Sequence, residues 1–292
     1  MGIESRYKSV LSNLKTGNHS PQILVLTSGK GGVGKTSMSI NLAILLRQLN
    51  MNVLLIDADV HLGNVDLLLG IRPDKTVRDV ILGEMDIHSI IIKGPKDIDV
   101  MPASSAIPDL LDVEDQVIRR LSNAFAQFEH KYDAVVVDTG SGISRNVISF
   151  VLGADKVVVV VTPDPASIAD AYGIIKVIRK NQPEMPIMLI ANMVSSDDEG
   201  ESLFKKMNLI VQRFLDGSIY YGGAVMKNTL AAESVRRQQP IVLEHPNSIV
   251  SNSLKLITRR LLSYPFTKEN KSGGFFERFM CYRNVEAGGQ ID

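Results

Sequence analysis

From Ser28 to Thr36 the chain reads Ser-Gly-Lys-Gly-Gly-Val-Gly-Lys-Thr, a composition suited to wrapping backbone around an anion. Gly29, Gly34, Lys35 and Thr36 stand at the fixed points of the pattern G-x-x-x-x-G-K-[ST], directly after an apolar run and ahead of a helical stretch. Glycines at 29, 31, 32 and 34 let successive N–H groups turn inward, and the following helix N-terminus adds partial positive charge there. In such a loop Gly29, Lys30, Gly31, Gly32, Val33, Gly34, Lys35 and Thr36, with Ser37 beside them, cradle the phosphates of a nucleotide. Lys35 bridges the β- and γ-phosphates, and the Thr36 hydroxyl ligates Mg2+. A second cation, Lys30, stands inside the loop, where a lysine near Lys35 is costly without an anion to share.

Two sets of carboxylates go with the loop. Asp57-Ala58-Asp59 ends the second apolar run, with Asn64 and Asp66 following. The fourth run, Val135-Val136-Val137, ends in Asp138-Thr139-Gly140. A hydrophobic run closed by an aspartate is the Walker B arrangement, which places Asp138 in the Mg2+ shell and makes residues 139–142 a turn that senses the γ-phosphate. Carboxylates at the C-terminal ends of parallel strands lie beside the crevice where α/β proteins bind ligands.

The elements that must hold these residues alternate. Apolar runs fall at Ile23–Leu26, Val53–Ile56, Ile98–Met101, Ala134–Val137, Val157–Val161, Ile187–Ile190 and Ser218–Tyr221. Several are apolar almost throughout, the mark of strands covered on both faces. Helical stretches of crossover length separate them, at Lys35–Leu49, Glu114–Phe128, Ile143–Leu152, Ser167–Arg179 and Glu201–Leu215. The expected fold is therefore α/β: a doubly wound, mainly parallel sheet with helices on both faces. Residues 1–20 read as a polar extension, 21–265 as one domain, 266–274 as a tether, and 275–292 as a tail.

Composition excludes several classes. The 292 residues hold 32 Lys plus Arg and 32 Asp plus Glu, so no net field draws the chain to nucleic acid or an anionic membrane. One cysteine, Cys281, leaves no disulfide framework and no Cys-based metal or iron–sulfur site within a chain. A reducing, cytoplasmic compartment is expected. No apolar run approaches the ~20 residues that span a bilayer, and the N-terminus carries no signal-peptide core.

The stretch Lys30–Thr36 resembles the deviant Walker A motif K-G-G-x-G-K-[ST] of the MinD/ParA family of dimerising ATPases. The resemblance spans about residues 22–262 and implies ATP and Mg2+ as cofactors. It implies that Lys30 reaches across a face-to-face dimer to the partner's nucleotide, neutralising charge on the transferring phosphoryl group. It also implies that Asp57 joins the Mg2+ shell through water, that Asp59 positions the attacking water, and that Asn64 lies near the dimer face. Asn192 matches the asparagine that reads the adenine edge. A second base contact is not matched, because Val225-Met226-Lys227-Asn228 stands where the family has Pro-Tyr-Asp or similar.

Within that family, Ile56–Gly70, Thr76–Gly83, Asp138–Ser144, Thr162–Ile175 and Val235–Ser248 look like the FlhG/FleN-type regulators of flagellar number. A division-site regulator of the MinD type is the alternative, and a partition ATPase of the ParA type a further one. The flagellar resemblance implies a cytoplasmic switch with peripheral association at the inner face of the cell membrane. Its partners would be a FlhF-type signal-recognition GTPase, flagellar switch or C-ring proteins, or a flagellar transcription regulator. Members that stimulate FlhF carry a D-Q-A-x-x-L-R-type helix, whereas residues 1–20 offer only an apolar face of Tyr7, Val10, Leu11 and Leu14. DNA is disfavoured, since the cations available to it (Arg236, Arg237, Lys255, Arg259 and Arg260) read as solvated helix faces. In the tail, Phe275, Phe276, Phe279 and Met280 recur at helical spacing. Two readings stay open there: Phe275–Met280 as a membrane contact that matters through avidity in a dimer, or an aromatic face packed on the protein's own domain.

Overall fold

The computed structural model describes residues 21–59, 63–75, 79–80, 85–102, 122–123, 125–126, 129–264 and 275–282. The expectations for residues 1–20, for the tether 266–274 and for most of the helix at Glu114–Phe128 lie outside these residues.

Among the described residues eight strands form one sheet: β1 (Gln22–Ser28), β2 (Val53–Ala58), β3 (Ile92–Lys93), β4 (Asp99–Met101), β5 (Ala134–Ser141), β6 (Lys156–Val161), β7 (Ile187–Val194) and β8 (Tyr220–Met226). Their order is β3-β4-β2-β5-β1-β6-β7-β8. Every pairing is parallel except β3 with β4, a hairpin closed by Gly94 N–H donating to the Ile98 carbonyl at 2.8 Å. The sheet is thus doubly wound and mainly parallel, with one short antiparallel edge strand that the pattern of runs did not reveal.

Alternate residues of one strand enter opposite cores, which is why the runs are apolar throughout. Ile23 and Val25 of β1 pack in one layer and Leu24 and Leu26 in the other. The first layer is closed by α3 (Arg145–Gly153), α4 (Pro165–Asn181), α5 (Asp197–Phe214) and α9 (Phe275–Cys281). The second is closed by α1 (Lys35–Gln48), α7 (Ile241–Glu244) and α8 (Ile249–Ser263), with α2 (Val65–Leu69) and α6 (Thr229–Arg236) beside them.

Two neighbouring residues at the start of β6 hold the C-terminal part of the chain. Lys156 is fully buried, and its Nζ donates to the Leu261 and Tyr264 carbonyls at 2.5 and 2.8 Å, where α8 ends. The orphan carbonyls of that helix end find an N–H donor there. Asp155 pairs with Arg278 of α9 and accepts the Ile23 N–H at 2.9 Å. Phe279 is 1 % exposed and stacks on Phe150 with ring centroids 4.3 Å apart. Ser149 Oγ donates to the Tyr282 carbonyl at 3.1 Å, and Gly153 brings the α3 backbone so near Phe279 that an added Cβ would lie 3.2 Å from its nitrogen. Of the two readings of the tail, residues 278–280 therefore adopt packing on the chain's own domain in this conformation.

Candidate nucleotide-binding site

Because β1 lies between β5 and β6 while the chain proceeds from β1 to β2, the strand order reverses at β1. That is the switch point beside whose C-terminal ends α/β sheets bind ligands. The loop from Ser28 to Gly34 leaves β1 there and enters α1.

Ser144, Asp164, Ser196, Asn228 and Ser248 each cap their helix by accepting a backbone N–H on the side chain. At α1, as at the short helices α2 and α7, no side chain caps the start; its cap position is Gly34, with φ +86°, and N–H groups at such a helix start can be offered to an anion. Gly32 also has positive φ, +77°. Gly29 is fixed by proximity: an added Cβ would lie 2.3 Å from Asp170 Cβ and 2.4 Å from the Asp170 backbone carbon. Thr36 and Ser37, in the first turn of α1, are half-buried.

Lys35 is 7 % exposed, and its Nζ donates to Asp138 Oδ1 at 3.1 Å and to the Thr139 carbonyl. Asp138, 1 % exposed, also accepts the Ser39 hydroxyl on Oδ1 at 2.7 Å. Its Oδ2 is buried and has no hydrogen-bond partner among the described residues. Asp57 is the register partner of Asp138 across β2 and β5. Burial, with the Asp138 charge beside it, pushes the Asp57 carboxyl up to about 7, against the N–H groups of Val65 and Asp59 at 3.0 and 3.1 Å. Two neighbouring carboxylates with an orphaned oxygen, together with the Thr36 hydroxyl one residue beyond Lys35, are the hard oxygen donors that suit Mg2+. The phosphates of a nucleotide supply the remainder in such sites.

The neighbouring residues fall around this centre. Asp59 lies beside Gly140, whose added Cβ would be 3.5 Å from Asp59 Oδ1. Asn64 occupies the cap position of α2, its carbonyl accepting the Leu68 N–H at 2.9 Å. Asn192 lies inside β7, 8 % exposed, and its Nδ2 donates to the Val33 carbonyl at 2.7 Å, tying β7 to the loop. Asn228, at the segment expected near a base, caps α6 by accepting the Leu230 N–H at 2.9 Å. Residues 139–141, expected as part of a turn, continue β5, and the chain turns at Gly142 with φ +88°. Lys30 extends across the loop mouth to Asp164 at the start of α4, 3.2 Å away, both side chains nearly half exposed.

A family profile described as an AAA domain matches residues 21–190. Antiactivator FleN of Pseudomonas aeruginosa is 36 % identical over 247 residues, covering 85 % of this chain and 88 % of that protein. The chain belongs to the MinD/ParA family. A second relative from the FleN-type branch, the flagellum site-determining protein YlxH of Helicobacter pylori, is 33 % identical across 89 % of this chain and 90 % of its own length. Among solved structures, the septum site-determining protein MinD complexed with Mg-ADP from Pyrococcus horikoshii superposes with a TM-score of 0.67 at 20 % identity, covering 82 % of this chain and 94 % of that one. At that identity the likeness concerns the MinD/ParA fold.

Two residues of this candidate site were not visible in the motifs. Asp164 and Ser39 reach Lys30 and Asp138 across 134 and 99 residues of chain, and no local pattern links them. Of the cations considered for DNA, Arg237 pairs with Glu244 at 2.8 Å, Lys255 donates to the Pro246 carbonyl at 2.6 Å, and Arg260 lies over the Tyr221 ring. These three are engaged within the fold. No helix among the described residues is long and apolar enough to cross a membrane.

Proposed function

We propose that this chain is a Mg-ATP-dependent ATPase switch that sets flagellar number or placement by dimerising around its nucleotides. The observation that carries the reading is the placement of Lys30. A partly exposed ammonium held, among the described residues, by a surface carboxylate at the mouth of the phosphate loop is suited to reach a nucleotide in a facing copy. In this reading Lys35, Thr36, Asp57 and Asp138 hold Mg-ATP, Asp59 orients the attacking water, and Asn192 lies near the adenine. Mg2+, when bound, neutralises charge on the phosphates. Hydrolysis then returns two monomers.

Similarity to FleN and YlxH supports the flagellar assignment. Among the partner classes, a FlhF-type GTPase, C-ring proteins and a flagellar transcription regulator, the description of FleN as an antiactivator favours the regulator. The docked α9 belongs to the resting state in this proposal, and its apolar face meets the membrane when the dimer forms, placing the protein at the inner face of the cell membrane.

The test is ATP binding and mass by light scattering, followed by co-sedimentation with anionic liposomes. Lys35→Ala is expected to lose ATP affinity by about 100-fold or more, and Asp59→Ala to bind ATP and accumulate as a dimer that pellets with liposomes. ATP affinity unchanged in Lys35→Ala would refute the site, and an Asp59→Ala dimer that stays in the supernatant would remove the membrane step.

A further inference from the structure

We infer that Ser39 is a positioning residue for the divalent cation, acting by holding one oxygen of Asp138 so that the other is presented to the metal; this rests on the nucleotide-site reading above. Ser39 lies one helical turn beyond Lys35 in α1, outside the loop motif, and is 0 % exposed. Its Oγ is 2.7 Å from Asp138 Oδ1 and 3.1 Å from the Lys35 carbonyl. A serine in a helix ordinarily donates back to the carbonyl four residues earlier. A hydroxyl has one proton, however, and the shorter contact to an ionised carboxylate is the stronger of the two.

Two donors therefore converge on Oδ1, the Ser39 hydroxyl and the Lys35 ammonium at 3.1 Å. The second oxygen, Oδ2, is buried and unpartnered among the described residues, on the residue in register with Asp57. The two donors differ in permanence. Lys35 belongs to the phosphates once a nucleotide is bound, and on leaving it takes away the only cation that touches Asp138 in this structure. The hydroxyl of Ser39 has no such competing ligand and sits on the helix that carries the loop. When Lys35 moves, Ser39 keeps Oδ1 occupied, and the carboxylate keeps one orientation with Oδ2 toward an incoming cation or its water. An apolar residue at 39 would let the carboxylate rotate at the moment its ammonium partner departs.

The experiment is calorimetric titration of the intact chain with ADP, in MgCl2 and in EDTA, on wild type, Ser39→Ala and Ser39→Thr. Thermal melting without nucleotide runs alongside. Mg2+ is expected to tighten ADP binding in wild type. That enhancement should shrink by about tenfold in Ser39→Ala, the size of one lost hydrogen bond to a charged group. ADP affinity in EDTA should change less than about twofold. Ser39→Thr, which keeps the hydroxyl, should retain the enhancement. An equal loss of affinity with and without Mg2+, accompanied by a lower melting temperature, would make Ser39 a packing residue and overturn the inference. So would an enhancement unchanged in Ser39→Ala. If wild type itself binds no ADP, the nucleotide-site reading fails and this inference with it; wild-type binding with an unaltered Ser39→Ala overturns the inference alone.

Discussion

Asp57 and Asp138 stand side by side, register partners near the C-terminal end of β2 and inside β5, and one ammonium among the described residues, that of Lys35, reaches the pair through Asp138. Burial disfavours the ionised form of Asp57 most, and the neighbouring Asp138 charge adds to it. The consequence falls on Asp57, whose carboxyl rises from 3.8 to about 7.

Stability of the nucleotide-free protein should therefore depend on pH through Asp57. Between its unfolded value of 3.8 and about 7 the folded chain holds this proton more tightly than the unfolded chain. The contribution is fully present below the unfolded value and is lost as pH rises through about 7. Melting temperature of the apo protein is expected to fall between pH 6 and pH 8, and to fall less in Asp57→Asn. Equal slopes in the two proteins would remove Asp57 as the cause.

Gly29 and Gly31 should respond differently to alanine. At 29 the new Cβ would overlap Asp170 at 2.3 Å, including backbone at 2.4 Å, whereas at 31 it would meet only Ser141 Oγ at 3.6 Å, an ordinary contact. Gly29→Ala is expected to displace the loop from α4 and to weaken ATP binding by about 100-fold. Gly31→Ala should weaken it less than Gly29→Ala. Calorimetric titration of both variants decides the order.

Asp164 both caps α4 and holds Lys30. Hydrogen bonds from the Ser167 N–H and from Lys30 keep its carboxyl below the usual carboxylate value. Asn can cap as Asp does, so Asp164→Asn should leave the melting temperature nearly unchanged while withdrawing the charge from Lys30. The proposed switch then predicts more dimer at a given ATP concentration, read by light scattering, whereas Lys30→Ala should form none.

Removing Arg278 should loosen α9. Its pairing with Asp155 is nearly buried on both sides, and breaking such a pair from one side is strongly unfavourable. Undocking α9 would let water reach the unpaired Asp155, so Arg278→Ala is expected to speed amide hydrogen exchange across residues 275–282 by about tenfold or more. Exchange in β1 and β5 should stay at the wild-type rate. A uniform acceleration would indicate global destabilisation instead.

The phosphate loop, Asp57 and Asp138 were legible because each follows from a short segment: a glycine-rich turn between an apolar run and a helix, and an aspartate closing another run. Strand interiors at Ile23–Leu26, Val53–Ile56, Ala134–Val137, Val157–Val161 and Ile187–Ile190 all lie within observed strands. Lys156 was not legible. A lysine before five valines reads as a strand boundary, yet it is a fully buried part of β6, because the end of α8, more than 100 residues later, supplies the carbonyls it needs.

That buried lysine also makes a measurable difference. Burial holds the Lys156 ammonium well below its ordinary value, so the unfolded chain binds this proton more tightly and stability gains as pH rises toward 10. Wild type should gain melting temperature relative to Lys156→Met between pH 7 and pH 9.

The sequence by itself determined the α/β class, the phosphate loop and the carboxylates that close the apolar runs, since backbone freedom at glycine, helix N-terminal charge and alternating burial act over a few residues. Tertiary structure alone decided that Lys30 meets Asp164, that Ser39 and Lys35 share one oxygen of Asp138, and that Phe279 stacks on Phe150. These contacts join segments about 100 residues or more apart. An amphipathic face records only that apolar surface must be covered; which surface covers it depends on where the sheet order and the clamp at Asp155 and Lys156 deliver the end of the chain.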